Sequence, residues 1–408
     1  MVSSSRVAII LAFAFGTASL TAAPAAAQAQ NRPFTVSKEE RAAILPLQLA
    51  INTNNYSAAA AALPAAQAAA RSADAKYFVG HYQLRLGIGT NNLAMQAQAI
   101  DQIVESGVAP QQDLAELYSN QAAHAAGTGN LRKAELAYSR LAELTPNDAE
   151  TLAKLAEVKN DINKIPEAVT LLDRAIGLKQ AAGQAVPEGW YKRALKIAFD
   201  GRIAPASLKF ARQLVAAFPS EENWRDAALV YRDLGGLDAG AKPDLYRLMR
   251  ATRSMAGERD YQEAATAFNA ANLYGDAKAV LDEGVAQKMV DPTRGGFKEL
   301  IASTAKRAAP VKSGLSSLQT KAMAASTGSL ALDAGDAFYG QGDYAKAAEL
   351  YAAALQKGSV DANVANNRLG IALALAGRKA EAEAALRSVT GPRSDLAALW
   401  LAWLARRA

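Results

Sequence analysis

The chain has 408 residues, half of them apolar and many of them alanine, with a net charge of +6, two histidines (His81 and His124) and no cysteine. That composition excludes disulfides, thiolate nucleophiles and Cys- or His-rich metal sites, and so mild a positive balance does not point to nucleic acid. Alanine is the best helix former, and few residues are β-branched or aromatic, which favours packed helices over a sheet.

Residues 1–30 read as a secretory signal peptide. Arg6 supplies the charged start, residues 7–20 are an apolar run, and "APAAAQAQ" offers a cut after Ala27 or Ala29. The run is shorter than the roughly 20 residues that span a bilayer, and no later segment is expected to cross one. The expected location is the bacterial periplasm or the medium beyond it.

Residues 31–110 read as two degenerate helix pairs, with "NNYSAAAAAL" and "AKYFVGHYQLRLG" as helices. Residues 111–287 form the main array. Its first unit has Tyr118, Ala122, Ala134, Tyr138 and a closing Pro146, and its second has Leu152, Leu155, Ala156, Ala168, Leu172 and Ala175. Trp190 and Trp224 open the next two units 34 residues apart, each followed four residues on by alanine, Ala194 and Ala228. The Trp190 unit continues through Ala206, Phe210 and Pro219, one place late, while the Trp224 unit leaves the pattern at "GGLDAGAKPD". Tyr261, Ala265, Phe268, Ala277 and Leu281 make a fifth unit.

Residues 288–327 interrupt the repeats as a basic helical joint, and residues 288–321 carry 7 Lys/Arg against 2 Asp/Glu. Pro310 is expected to end a helix in "FKELIASTAKRAA", with a second short helix over residues 315–325. Residues 328–394 hold two more units, marked by Gly335, Phe338, Ala347 and Tyr351, then by Leu369, Gly370, Ala382 and Leu386. Residues 395–408 read as a capping helix, with Trp400, Trp403 and Leu404 on one face.

The 34-residue pattern resembles the tetratricopeptide repeat, a helix–turn–helix written W-x2-L-G-x2-Y…A-x3-F…P. The resemblance implies an all-α, right-handed α-solenoid of helix–turn–helix repeats with a C-terminal capping helix, built from seven clear and two degenerate units. One pair cannot bury its own apolar face, so pairs stack.

No H-E-x-x-H, Walker or G-x-S-x-G motif occurs. "STAK", Ser303 to Lys306, matches S-x-x-K but lacks that motif's companion elements. No catalytic residue, cofactor or metal site is assigned, and the chain is not expected to be an enzyme. The resemblance implies that a protein or peptide segment binds a groove lined by the first helix of each unit. Counting each tryptophan as the fourth residue of its unit, the groove candidates are Tyr191, Arg225, Arg232, Arg259, Gln262 and Asn269; the alternative is that these are solvated faces. Arg225 and Arg232 lie seven apart on one helix face, so reversing both charges is expected to weaken partner binding without loss of helix. The expected function is a periplasmic interaction scaffold in envelope assembly, secretion or polysaccharide export. The alternatives are a small-molecule or glycan binder, or a cell-wall- or polysaccharide-acting enzyme.

Overall fold

The computed structural model describes residues 33–407; the signal peptide expected at residues 1–30 lies outside them. Among the described residues the chain is all helix and turn, with no strand. It divides into two compact units between Gln184 and Ala185.

The first unit contains α1 (Lys38–Asn52), α2 (Tyr56–Ala69), α3 (Ala73–Gly89), α4 (Leu93–Ser106), α5 (Gln111–Gly127), α6 (Leu131–Leu144), α7 (Ala149–Asp161) and α8 (Ile165–Ala181). Its pairs share one connector. The sequences Thr53-Asn54-Asn55, Thr90-Asn91-Asn92 and Thr128-Gly129-Asn130 join α1 to α2, α3 to α4 and α5 to α6. In each, the threonine hydroxyl donates to a carbonyl four residues back, the middle residue takes a positive φ, and the asparagine side chain caps the next helix. Asparagine and glycine tolerate the left-handed region that such a turn demands. The same three-residue turn recurs with Asn163, Arg202, Asn272 and Gly377 at its centre, and a form one residue longer, with Gly342 at positive φ, joins α16 to α17. One form or the other marks every pair but one, and the turn shows that residues 36–110 are full repeats.

The second unit contains α9 (Glu188–Asp200), α10 (Ala204–Ala217), α11 (Glu221–Leu234), α12 (Lys242–Ala251), α13 (Glu258–Ala270), α14 (Tyr274–Ala286), α15 (Gly295–Ala324), α16 (Ser329–Tyr339), α17 (Tyr344–Lys357), α18 (Ala362–Leu375), α19 (Lys379–Arg387), a 3-10 turn (Gly391–Arg393) and α20 (Ser394–Leu404). The pairs are α9/α10, α11/α12, α13/α14, α16/α17 and α18/α19, so the described residues hold nine. Small residues stand where paired helices cross: a Cβ on Gly335 would sit 2.5 Å from the Tyr351 ring, and that ring is fixed because its hydroxyl donates to Asp336.

One expectation is corrected here and one is extended. Pro310 does not end a helix: α15 runs unbroken through it for 30 residues and packs on both α14 and α16. The helix α20 caps the last pair as expected and also does more. Trp400 is fully buried, and α20 packs on α18 and α19 but also returns to α10. There Arg212 pairs with Asp395, and Arg406 donates to the Ala216 carbonyl.

The short helix α12 explains that return. Residues 243–249 are buried all round, whereas the second helix of a stacked pair ordinarily keeps one solvent face. Its outward side carries Asp244 and Arg247, neutralised from far along the chain. Asp244 accepts from Asn367 (3.0 Å), Arg393 (3.2 Å) and Arg247 (3.3 Å). Arg247 donates to Asp276 (2.9 Å) and Asp336 (3.2 Å), and Arg368 pairs with Asp336. Burial disfavours the charged Arg247, but the carboxylates of Asp276 and Asp336 more than offset it and hold the guanidinium ionised. The "GGLDAGAKPD" departure from the repeat is the loop that sets α12 in this position: Arg393 also donates to Asp238 and the Gly240 carbonyl.

Candidate partner-binding groove

The first helices α9, α11 and α13 lie side by side, tied by polar bridges. Lys192 of α9 reaches Glu222 of α11 (3.3 Å), and Asn223 donates to Glu188 (2.9 Å). Arg225 pairs with Asp260 of α13, and Arg232 with Glu263 (3.1 Å). A hollow opens in each gap between them. The α11–α13 hollow, of about 810 Å³, is lined by Arg232, Lys242, Tyr246, Arg259, Gln262 and Glu263. The α9–α11 hollow, of about 500 Å³, is lined by Lys192, Leu195, Phe199, Asp226 and Leu229. Asp233 borders both.

Glu263 organises the first hollow. It accepts from Arg259 (2.7 Å), Arg232 (3.1 Å) and the Tyr246 hydroxyl (3.4 Å). Burial raises its pKa, but the Arg259 bond and the two guanidinium charges outweigh that and hold it below the ordinary carboxylate value. Burial, with Glu263 beside it, pushes Tyr246 up to about 12. In the second hollow, burial and then Glu222 push Asp226 upward, while Lys192 and Arg225 pull it down through space.

The structure therefore brings together three of the six groove candidates: Arg232, Arg259 and Gln262. The other three are corrected. Tyr191 is only 3% exposed and lies 6.2 Å from the Phe218 ring. It shares the inward face of α9 with Ala194, Leu195 and Ala198, as Trp224 shares that of α11 with Ala227, Ala228 and Tyr231. The buried position is thus Tyr191, one residue beyond Trp190, and the step to Trp224 is 33 residues. With that register the groove positions of α9 fall on Lys192, Lys196 and Phe199, all lining the second hollow. The late Pro219 was the sign of the shift. Arg225 is committed to Asp260, a residue 2% exposed that also accepts the Ala256 amide; reversing its charge would strand a buried carboxylate, so the expected charge-reversal test is not clean. Asn269 donates to the Ala265 carbonyl and to Thr304 of α15, so it fixes the joint helix.

Ser303 and Lys306 lie exposed on α15, and the Ser303 hydroxyl donates to the Leu300 carbonyl. His124 is exposed, while His81 stacks on Tyr77 at 6.4 Å; burial and then Arg85 lower its pKa. Among the described residues no cluster of His, Asp and Glu is placed to hold a metal ion, and no helix is long and apolar enough to cross a membrane.

Buried alanines open the second helices at Ala134, Ala168, Ala277, Ala347 and Ala382, each followed four residues on by a buried large side chain: Tyr138, Leu172, Leu281, Tyr351 and Leu386. With the short turn before them, this decides the repeat type. The fold is a tetratricopeptide array. No protein-family model and no curated protein matches the chain. Among solved structures it is similar to the MamA protein, at 18% identity over 48% of this chain and 95% of that one, with a TM-score of 0.31. A tetratricopeptide repeat protein from Parabacteroides merdae is 14% identical over 64% of this chain and 99% of its own, with a TM-score of 0.30. A structure of Naa15/Naa10 bound to HypK-THB is 14% identical over 88% of this chain and 64% of its own, with a TM-score of 0.39.

Proposed function

We propose that the chain is an interaction scaffold that receives an extended segment of a protein partner across α9, α11 and α13, and that it is not an enzyme. The observation that carries this reading is the pair of adjoining hollows between successive first helices, sharing Asp233 as a common rim. Each mixes apolar floor with charged rim, the usual make-up of a site that buries stems and orients heads. The charged start, apolar run and small-residue stretch of residues 1–30 support export, and we place the scaffold in the periplasm, serving envelope assembly, secretion or polysaccharide export.

Photo-crosslinking residues at Gln262 and Phe199, with a control at Ser313 on α15, test this in intact cells. One partner captured from both groove positions and not from the control is the expected result. Replacing Lys242 and Arg259 together by alanine should lower that partner's affinity about tenfold or more while leaving helix content unchanged, since Lys242 has no ion-pair partner among the described residues and Arg259 is 78% exposed at its side chain. Equal capture from Ser313, or unchanged affinity, would remove the groove reading.

A further inference from the structure

The two hollows differ in the sign of the charge they leave uncompensated. In the α9–α11 hollow both lysines are engaged within the chain: Lys192 with Glu188 and Glu222, Lys196 with Asp200 at 2.6 Å. Asp226 is not. It meets Lys192 and Arg225 only as through-space charges, and its neighbours in the hollow are the apolar Leu195, Phe199 and Leu229. In the α11–α13 hollow the arginines are engaged, Arg232 with Asp233 and Glu263, Arg259 with Glu263. There the uncompensated group is the Lys242 ammonium. A carboxylate above an apolar slot suits a Lys or Arg, whose stem packs on hydrocarbon while its head finds the acid. A free ammonium beside a cationic rim suits an Asp or Glu.

The spacing is fixed as well. Neighbouring packed helices stand about 8–10 Å apart, and a segment extended in the polyproline II form advances about 3.1 Å per residue and returns a side chain to the same face every three residues. Side chains that enter successive gaps are therefore about three residues apart.

We propose that the groove recognises a charge pair in its partner: a Lys or Arg in the α9–α11 hollow against Asp226 and, about three residues along an extended segment, an Asp or Glu in the α11–α13 hollow against Lys242. This rests on the groove reading above and adds the chemistry of the occupant.

Fluorescein-labelled ten-residue peptides on a Ser/Ala background test it with the full chain, read by fluorescence polarisation at low salt. The set carries Lys and Glu three apart in both orders, the same pair six apart, and a Gln/Gln neutral peptide; a benzophenone on each peptide reports where it lies. One order of the three-apart pair should bind at least tenfold tighter than the neutral and six-apart peptides. Asp226→Asn should abolish the gain from Lys alone, and Lys242→Gln the gain from Glu alone, with the double variant no worse than their combination. Asp226→Lys should restore binding to a peptide with Glu in place of the Lys. Peptides that crosslink to the groove with equal affinity whatever their charge would overturn the charge-pair proposal and leave the groove reading standing. Peptides that crosslink elsewhere, or none that bind, would overturn both.

Discussion

Glu40 is a buried carboxylate of the first unit that accepts four hydrogen bonds. It accepts the backbone amides of Ser37 (3.0 Å), Arg71 (3.0 Å) and Ser72 (2.8 Å) and the Ser72 hydroxyl (3.1 Å), tying the start of α1 to the turn between α2 and α3. Those donors, led by the Ser72 amide, hold its pKa down to about 2 from 4.5. A depressed folded value means that the stabilisation is fully present above the unfolded pKa and is lost as pH falls from about 4.5 toward 2. Glu40→Gln should cost about 1–3 kcal/mol at neutral pH, because amides that met a charge would meet a weaker acceptor. Amide exchange at Ser72 checks it: protection should fall with acid in the native protein and be flat across that window in the variant. At this scale the sequence is legible only in part. The Ser37–Glu40 capping box is written in four consecutive residues, whereas the Arg71 and Ser72 amides that complete the site come from two helices on. Tyr191 makes the same point from the other side, since one residue of slippage in a repeat turns a buried ring into an apparent groove residue.

At the scale of elements the local signals are strong. Eight of the nine helix pairs follow from alanine spacing and from turns such as Thr-Asn-Asn, because a short turn with a left-handed centre is a short-range requirement. The joint is where local reasoning failed. Proline removes one backbone bond and crowds the preceding turn, yet α15 passes through Pro310, which is exposed. Pro310→Ala should therefore restore a bond without loss of packing and raise stability by up to about 3 kcal/mol. Urea unfolding followed by tryptophan fluorescence measures this cleanly, since all four tryptophans, Trp190, Trp224, Trp400 and Trp403, lie in the second unit. A lowered midpoint would mean that a bend at Pro310 is needed for α15 to fit.

At the scale of the whole second unit, the organising residue is Asp244, with no exposed surface. Removing one member of a buried ionic network strands the others, at a cost of about 3–5 kcal/mol. Asp244→Ala should lower the tryptophan-monitored midpoint by that much, and more than Arg393→Ala, which leaves Arg247, Arg368 and Asn367 around the carboxylate. None of this closure was legible in the sequence: periodicity reports neighbours within a few dozen residues, while the partners of Asp244 stand 123 and 149 positions away. The separation has a consequence in time. A chain made at about 5–20 residues per second exposes Asp244 roughly 7–30 s before Arg393 emerges. For that interval Asp244 lacks the partners that α18 and the 3-10 turn supply, and a carboxylate destined for full burial must stay hydrated. Synthesis paused between α12 and the 3-10 turn would therefore prolong the stage at which α12 cannot be sealed into the interior.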